Sequence, residues 1–174
     1  MTKQRTINRA RQLKKEGKSP STQAGEFIKE TMDEIREGRI GAKSTKQAIA
    51  IGLSKARRAG VDLPPPPRGQ TSTKTRKSAE RAYRVGQEEP DRPVNSKRSK
   101  AATAALKTQG AKAASHEAIS KQVKQQARQK TAEERSEIGR KAAKTRLAHQ
   151  SAAERKAIAR KAARTRRRNR ATVR

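Results

Sequence analysis

Ten of the 23 bulky apolar or aromatic residues in this 174-residue chain fall between positions 25 and 63, and no other stretch gathers enough of them to build a core. A further 29 residues are alanine, which favours helices but buries little surface. The formal net charge of +30, from 46 Lys+Arg against 16 Asp+Glu, opposes compaction and calls for a polyanionic partner. Residues 25–63 contribute only +2 of it, eight basic minus six acidic. The distribution therefore excludes one large core and allows a small fold flanked by cationic segments.

Within GEFIKETMDEIREG, Phe27, Ile28, Thr31, Met32 and Ile35 share one helical face, with Ser21 or Thr22 to cap the start and Gly38 to end it. In STKQAIAIGLSKARRAG, Ser44 and Gln47 stand at capping-box spacing, Ile49, Leu53 and Ala56 form a stripe, and Gly60 stops the helix. Together they predict a helical hairpin over 21–63. The acids of its first helix (Glu26, Glu30, Asp33, Glu34, Glu37) would face the bases of its second (Lys46, Lys55, Arg57, Arg58). Ten bulky side chains cannot alone offset the entropy of ordering about forty residues, so the hairpin is expected to be marginal by itself.

The flanks read differently. Residues 1–20 form a basic arm with Ile7, Ala10 and Leu13 at helical spacing. Residues 64–98 open with Pro64 to Pro67 and lack sustained periodicity, which predicts a flexible linker, with an SH3-type ligand as the lesser reading of the prolines. Residues 99–174 are an Ala/Lys/Arg-rich tail. It contains a repeat, TAEERSEIGRKAAKTRLAHQ at 131–150 and SAAERKAIARKAARTRRRNR at 151–170, identical at ten of twenty positions. Each copy opens with a capping box, Thr131 with Glu134 and Ser151 with Glu154. Residues 99–128 have similar composition and suggest a degraded earlier copy. The expected architecture is mostly α: a small hairpin with arm, linker and short helices, substantially disordered without a partner.

The chemistry is that of phosphate binding. Candidate ligands are Arg135, Arg140, Lys141, Lys144 and Arg146 in the first copy, and Arg155, Lys156, Arg160, Lys161, Arg164, Arg166, Arg167, Arg168 and Arg170 in the second. Many such contacts release counterions and give affinity without base recognition. Single-strand and RNA recognition lean on aromatic stacking, yet the aromatics are Phe27, assigned to the hairpin core, and Tyr83. Double-stranded DNA is therefore the favoured partner, with RNA the alternative and a protein-docking hairpin a second one. No small-molecule substrate, cofactor or metal is expected: there is no cysteine, zinc-finger spacing, phosphate-binding glycine loop or nucleophile elbow. His116 and His149 read as solvated helix residues, and Glu133 and Glu134 as first-turn dipole partners. An enzyme is not expected. The start, MTKQRTINRARQLKK, has no apolar run of a secretory signal, and no stretch of about eighteen apolar residues occurs. A membrane role is disfavoured because the basic helices lack a bulky apolar face. Cytoplasmic, nucleoid localisation is the expectation.

Residues 21–67, above all Ser44 to Gly60, resemble a bacterial domain of unknown function found in small basic proteins described as DNA-binding or linker-histone-like. The AALK and RKAAKTR segments look like the tails of such proteins. The resemblance implies a nucleoid-associated protein and brings no catalytic activity or mapped binding residue.

Overall fold

The computed structural model describes residues 2–88 and 95–171, with the side chains of His149 and Ala171 left aside. Its elements are α1 (Gln4–Lys15), α2 (Pro20–Arg36), α3 (Thr45–Arg58), α4 (Thr73–Glu88), α5 (Ser96–Lys107), a 3-10 turn at Lys112–Ala114, α6 (His116–Arg128), α7 (Ala132–His149) and α8 (Ala152–Ala171). The mostly α class holds, and among the described residues there is no strand. The chain divides into two compact units, Met1–Lys124 and Gln125–Arg174, where the sequence had placed the tail boundary at 99.

The hairpin forms as its spacing predicts. α2 starts slightly earlier than expected: Ser19 is its N-cap, accepting from the Thr22 N–H, and Pro20 occupies the first turn, where a missing N–H is harmless. The predicted face buries Phe27, Thr31, Met32 and Ile35, and Ile28 is half-buried. At α3, Ser44 accepts from the Gln47 N–H at 3.2 Å, but the Gln47 side chain returns to the Lys43 N–H at 2.9 Å, one residue before the cap. Ala48 shares a cluster with Met32 and Ile35, whereas Ala56 shares one with Ala24 and Phe27, so the two helices run in opposite directions. They meet closely at Gly52, where a Cβ would lie 2.7 Å from the Ile28 Cα. One cross-helix ion pair joins them, Lys55 to Glu34 at 2.5 Å, both side chains largely shielded from solvent.

Three segments that the sequence assigned elsewhere complete this unit. The basic arm is α1, and its Ala10 and Leu13 are buried against α2, with Ile7 packed beside Phe27 and Val61. The Lys3 N–H donates to Glu30 Oε1 at 2.7 Å.

The middle of the expected flexible linker is α4, which packs on α3 through Ala79, Ala82 and Gly86. A Cβ at Gly86 would collide with the Arg57 carbonyl, so only glycine permits that approach. Positions 89–94 of the expected linker lie outside the described residues.

The third segment lies within residues 99–128 of the expected tail and packs on the hairpin. Ala113 and Ala114 enter the cluster of Met32, Ile35, Ala42 and Ala48, with Ile119 against it. Their carbonyls accept from Thr45 Oγ1 at 2.8 Å and Arg36 Nε at 3.0 Å, and the Gly110 carbonyl accepts from the Ala42 N–H. These additions supply the burial that the hairpin lacks on its own.

Gly52→Ala forces the backbones of α2 and α3 apart and should lower stability by about 1–3 kcal/mol in urea unfolding. Gly25→Ala, in the same hairpin but with open space around its Cβ, should instead raise stability by up to about 1 kcal/mol.

Candidate nucleic-acid interface

All fourteen candidate cations lie on α7 and α8, and every one is exposed. Both helices are solvent-facing along their described length, and neither buries a residue. The reason is local: Ala, Arg, Lys and Glu favour a helix without tertiary help, and each helix is capped. Thr131 accepts from the Glu134 N–H at 3.2 Å while Glu134 Oε2 accepts from the Thr131 N–H at 2.8 Å. Ser151 and Glu154 repeat both bonds at the same distances. The two carboxylates thus serve helix N-termini. Between the copies, Gln150 has an extended backbone at φ −111° and ψ 131°, so the helices are separate rods. The substantial disorder expected for the tail is not what the structure carries.

Ile138, Leu147 and Ile158 are each more than half exposed. Ile138 and Leu147 are nine residues apart, which at about 100° per residue puts them on opposite sides of α7, so no apolar face is formed for a core or a bilayer. Among the described residues no helix is long and apolar enough to cross a membrane, and no cluster of His, Asp and Glu could hold a metal ion.

The charged residues of the hairpin sort into two kinds. Lys46 and Arg58 are exposed, whereas Lys55 is paired with Glu34. Arg57 is buried: its Nε donates to the Leu63 carbonyl at 2.9 Å and its Nη2 to the Pro64 carbonyl at 3.2 Å. Desolvation lowers its pKa from the ordinary arginine value. Arg57 thereby fastens the start of the proline run to α3, and Pro65 and Pro66 are half-buried.

Tyr83, the aromatic outside the hairpin core, donates its hydroxyl to Asp62 Oδ1 at 2.6 Å and ties α4 to the turn after α3. That hydrogen bond, with smaller desolvation and charge contributions, raises the phenol pKa.

The sequence missed further exposed cations, Lys74, Lys77, Arg81 and Arg84 on α4. Their signal was the small residues Ala79, Ala82 and Gly86 at spacings of three and four, a stripe with too little bulk to register as a helix face.

A model of a Family of unknown function (DUF6496) matches residues 2–66, the span of α1, α2, α3 and most of the proline run. No curated protein and no solved structure matches the chain. The family match ends before α4, the 109–119 segment and the two cationic helices.

The cap at Ser151 has a pH signature. The Ser151 backbone N–H and then its hydroxyl stabilise the charged Glu154 carboxylate, against a smaller desolvation effect, and lower its pKa from the ordinary value. The capping contribution is full above the unfolded-state Glu pKa and is lost as pH falls through the lowered folded value. An NMR pH titration should show the Glu154 carboxyl and the Ser151 amide sharing one midpoint, which Ser151→Ala moves upward.

Proposed function

We propose that this protein binds double-stranded DNA without sequence preference, through phosphate contacts made by α7 and α8, and acts as a nucleoid-associated, histone-like protein rather than an enzyme. The observation that carries this reading is the set of fourteen exposed Lys and Arg side chains on two helices that no apolar core retains. A helix surface of this kind has no use for a shaped ligand and fits a partner with regularly spaced negative charge. Cytoplasmic, nucleoid localisation goes with the same reading. The resemblance to small basic proteins described as DNA-binding or linker-histone-like agrees with it.

RNA is the competing polyanion. With Phe27 fully buried and Tyr83 half-buried and tied by its hydroxyl to Asp62, the chain offers at most one aromatic ring for base stacking, which favours the duplex. A docking role for the acidic α2 is weaker, since Glu30 and Glu34 are buried and engaged within the fold.

In fluorescence anisotropy with duplexes of unrelated sequence, affinity should fall by about 10³-fold or more between 50 and 200 mM salt. Removing 131–174 takes away +11, fifteen basic minus four acidic, and should weaken binding to every sequence similarly. Binding that ignores salt, or that survives the deletion unchanged, contradicts the proposal. A strong preference for structured RNA at matched salt replaces DNA with RNA.

A further inference from the structure

The two copies of the repeat do not agree at random positions around their helices. At about 100° per residue, eight of the eighteen positions of α7 lie within an arc of about 140° centred near Ile138, and seven of those are identical in α8. The exception is His149, which aligns with Asn169. Of the remaining ten positions only three are identical. One face has been kept twice while the other has drifted between Glu and Ala, Ser and Lys, or Leu and Arg.

The kept face has a definite chemistry. Its midline is Ile138, Ala142 and Thr145, matched by Ile158, Ala162 and Thr165. The threonine hydroxyls donate back to the Lys141 and Lys161 carbonyls at 3.0 and 3.1 Å, which occupies their donors within the helix. Both isoleucines are about half exposed. Lys141 flanks the midline on one side, and Arg135 and Arg146 on the other. On α8 the same face is a shallow concavity lined by Ile158, Lys161, Ala162, Thr165 and Arg166 together with Asn169. The acids on this face, Glu134 and Glu154, sit in the first turns and are held by the caps.

From this arrangement, and resting on the DNA-binding reading above, we infer that α7 and α8 each enter a major groove of duplex DNA with the Ile–Ala–Thr midline toward the groove floor. Lys141 and Arg146, and likewise Lys161 and Arg166, then reach the phosphates on the two walls. The fit is dimensional as well as chemical: a helix about 10–12 Å across matches a B-form major groove about 12 Å wide. The apolar midline meets base edges and thymine methyls without a donor pattern that would select a sequence. Cations on the drifted face, Arg140 and Lys144 with Arg160 and Arg164, point away and add only long-range attraction.

Two full-length variants of equal charge test this. K141Q/R146Q/K161Q/R166Q strips the kept face, and R140Q/K144Q/R160Q/R164Q strips the drifted one, each removing four positive charges. On a 30-base-pair DNA duplex at constant salt, the first should bind at least about tenfold more weakly than the second, with equal helix content by circular dichroism. On an RNA duplex of the same length, whose major groove is too narrow for a helix, the two should bind alike. Equal affinities of the two variants for DNA would overturn the groove-facing assignment while leaving phosphate binding intact, as would the same tenfold difference on RNA. Failure of the unmodified protein to bind duplex DNA would remove the underlying function itself.

Discussion

The close approach of α2 and α3 at Gly52 is what the folded unit rests on. With the Ile28 backbone where a Cβ would otherwise sit, the two helices come near enough for alanines at 48 and 56 to fill the space between them. A core this thin cannot hold many large side chains, and it gains its remaining burial by adding layers. α1 covers α2, α4 covers α3 through Gly86, and the 109–119 segment joins Ala113 and Ala114 to the Met32 and Ile35 cluster. Each added layer arrives with a hydrogen bond of its own, from the Lys3 N–H to Glu30 beside α1, from the Tyr83 hydroxyl of α4 to Asp62, and from Arg36 to the Ala114 carbonyl of the 109–119 segment.

Charge is managed by partition. The hairpin region 25–63 is close to neutral at +2, and its most shielded cation–anion pair, Lys55 with Glu34, lies between the two central helices. α7 and α8 make the opposite choice. They bury nothing, cap themselves, and carry cations around their circumference, so helix formation there depends on propensity and capping rather than on packing. The residues that hold the fold and those proposed to meet a polyanion are thus different, and changes to one set need not disturb the other.

The parts of the fold that sequence reveals are those written in bulky residues. Ile28, Met32 and Ile35 at four- and three-residue spacing predict α2, and Ser44 with Gln47 marks the start of α3. α4 and the 109–119 segment stayed hidden because they pack with Ala and Gly, whose small surfaces leave no strong period, and through carbonyls that every residue possesses. α1 was masked by its own charge: the same Ala10 and Leu13 that stand at helical spacing in the basic arm are buried on α2. In the tail, the capping boxes and the repeat placed the cations on two helices correctly. What charge alone could not separate were the structural cations: Arg57 is a buried tether and Lys55 an ion-pair partner, a difference that depends on which carbonyls and carboxylates the folded chain brings within reach.

The most direct test of this division of labour is amide hydrogen exchange on the full chain with and without a sequence-unrelated DNA duplex. DNA should slow exchange along α7 and α8 and leave α2, α3 and residues 109–119 at the protection they already have without it. Protection that appears on α2 and α3 instead, or a tail whose exchange is unaffected by saturating duplex, would contradict the assignment of polyanion binding to the unpacked helices.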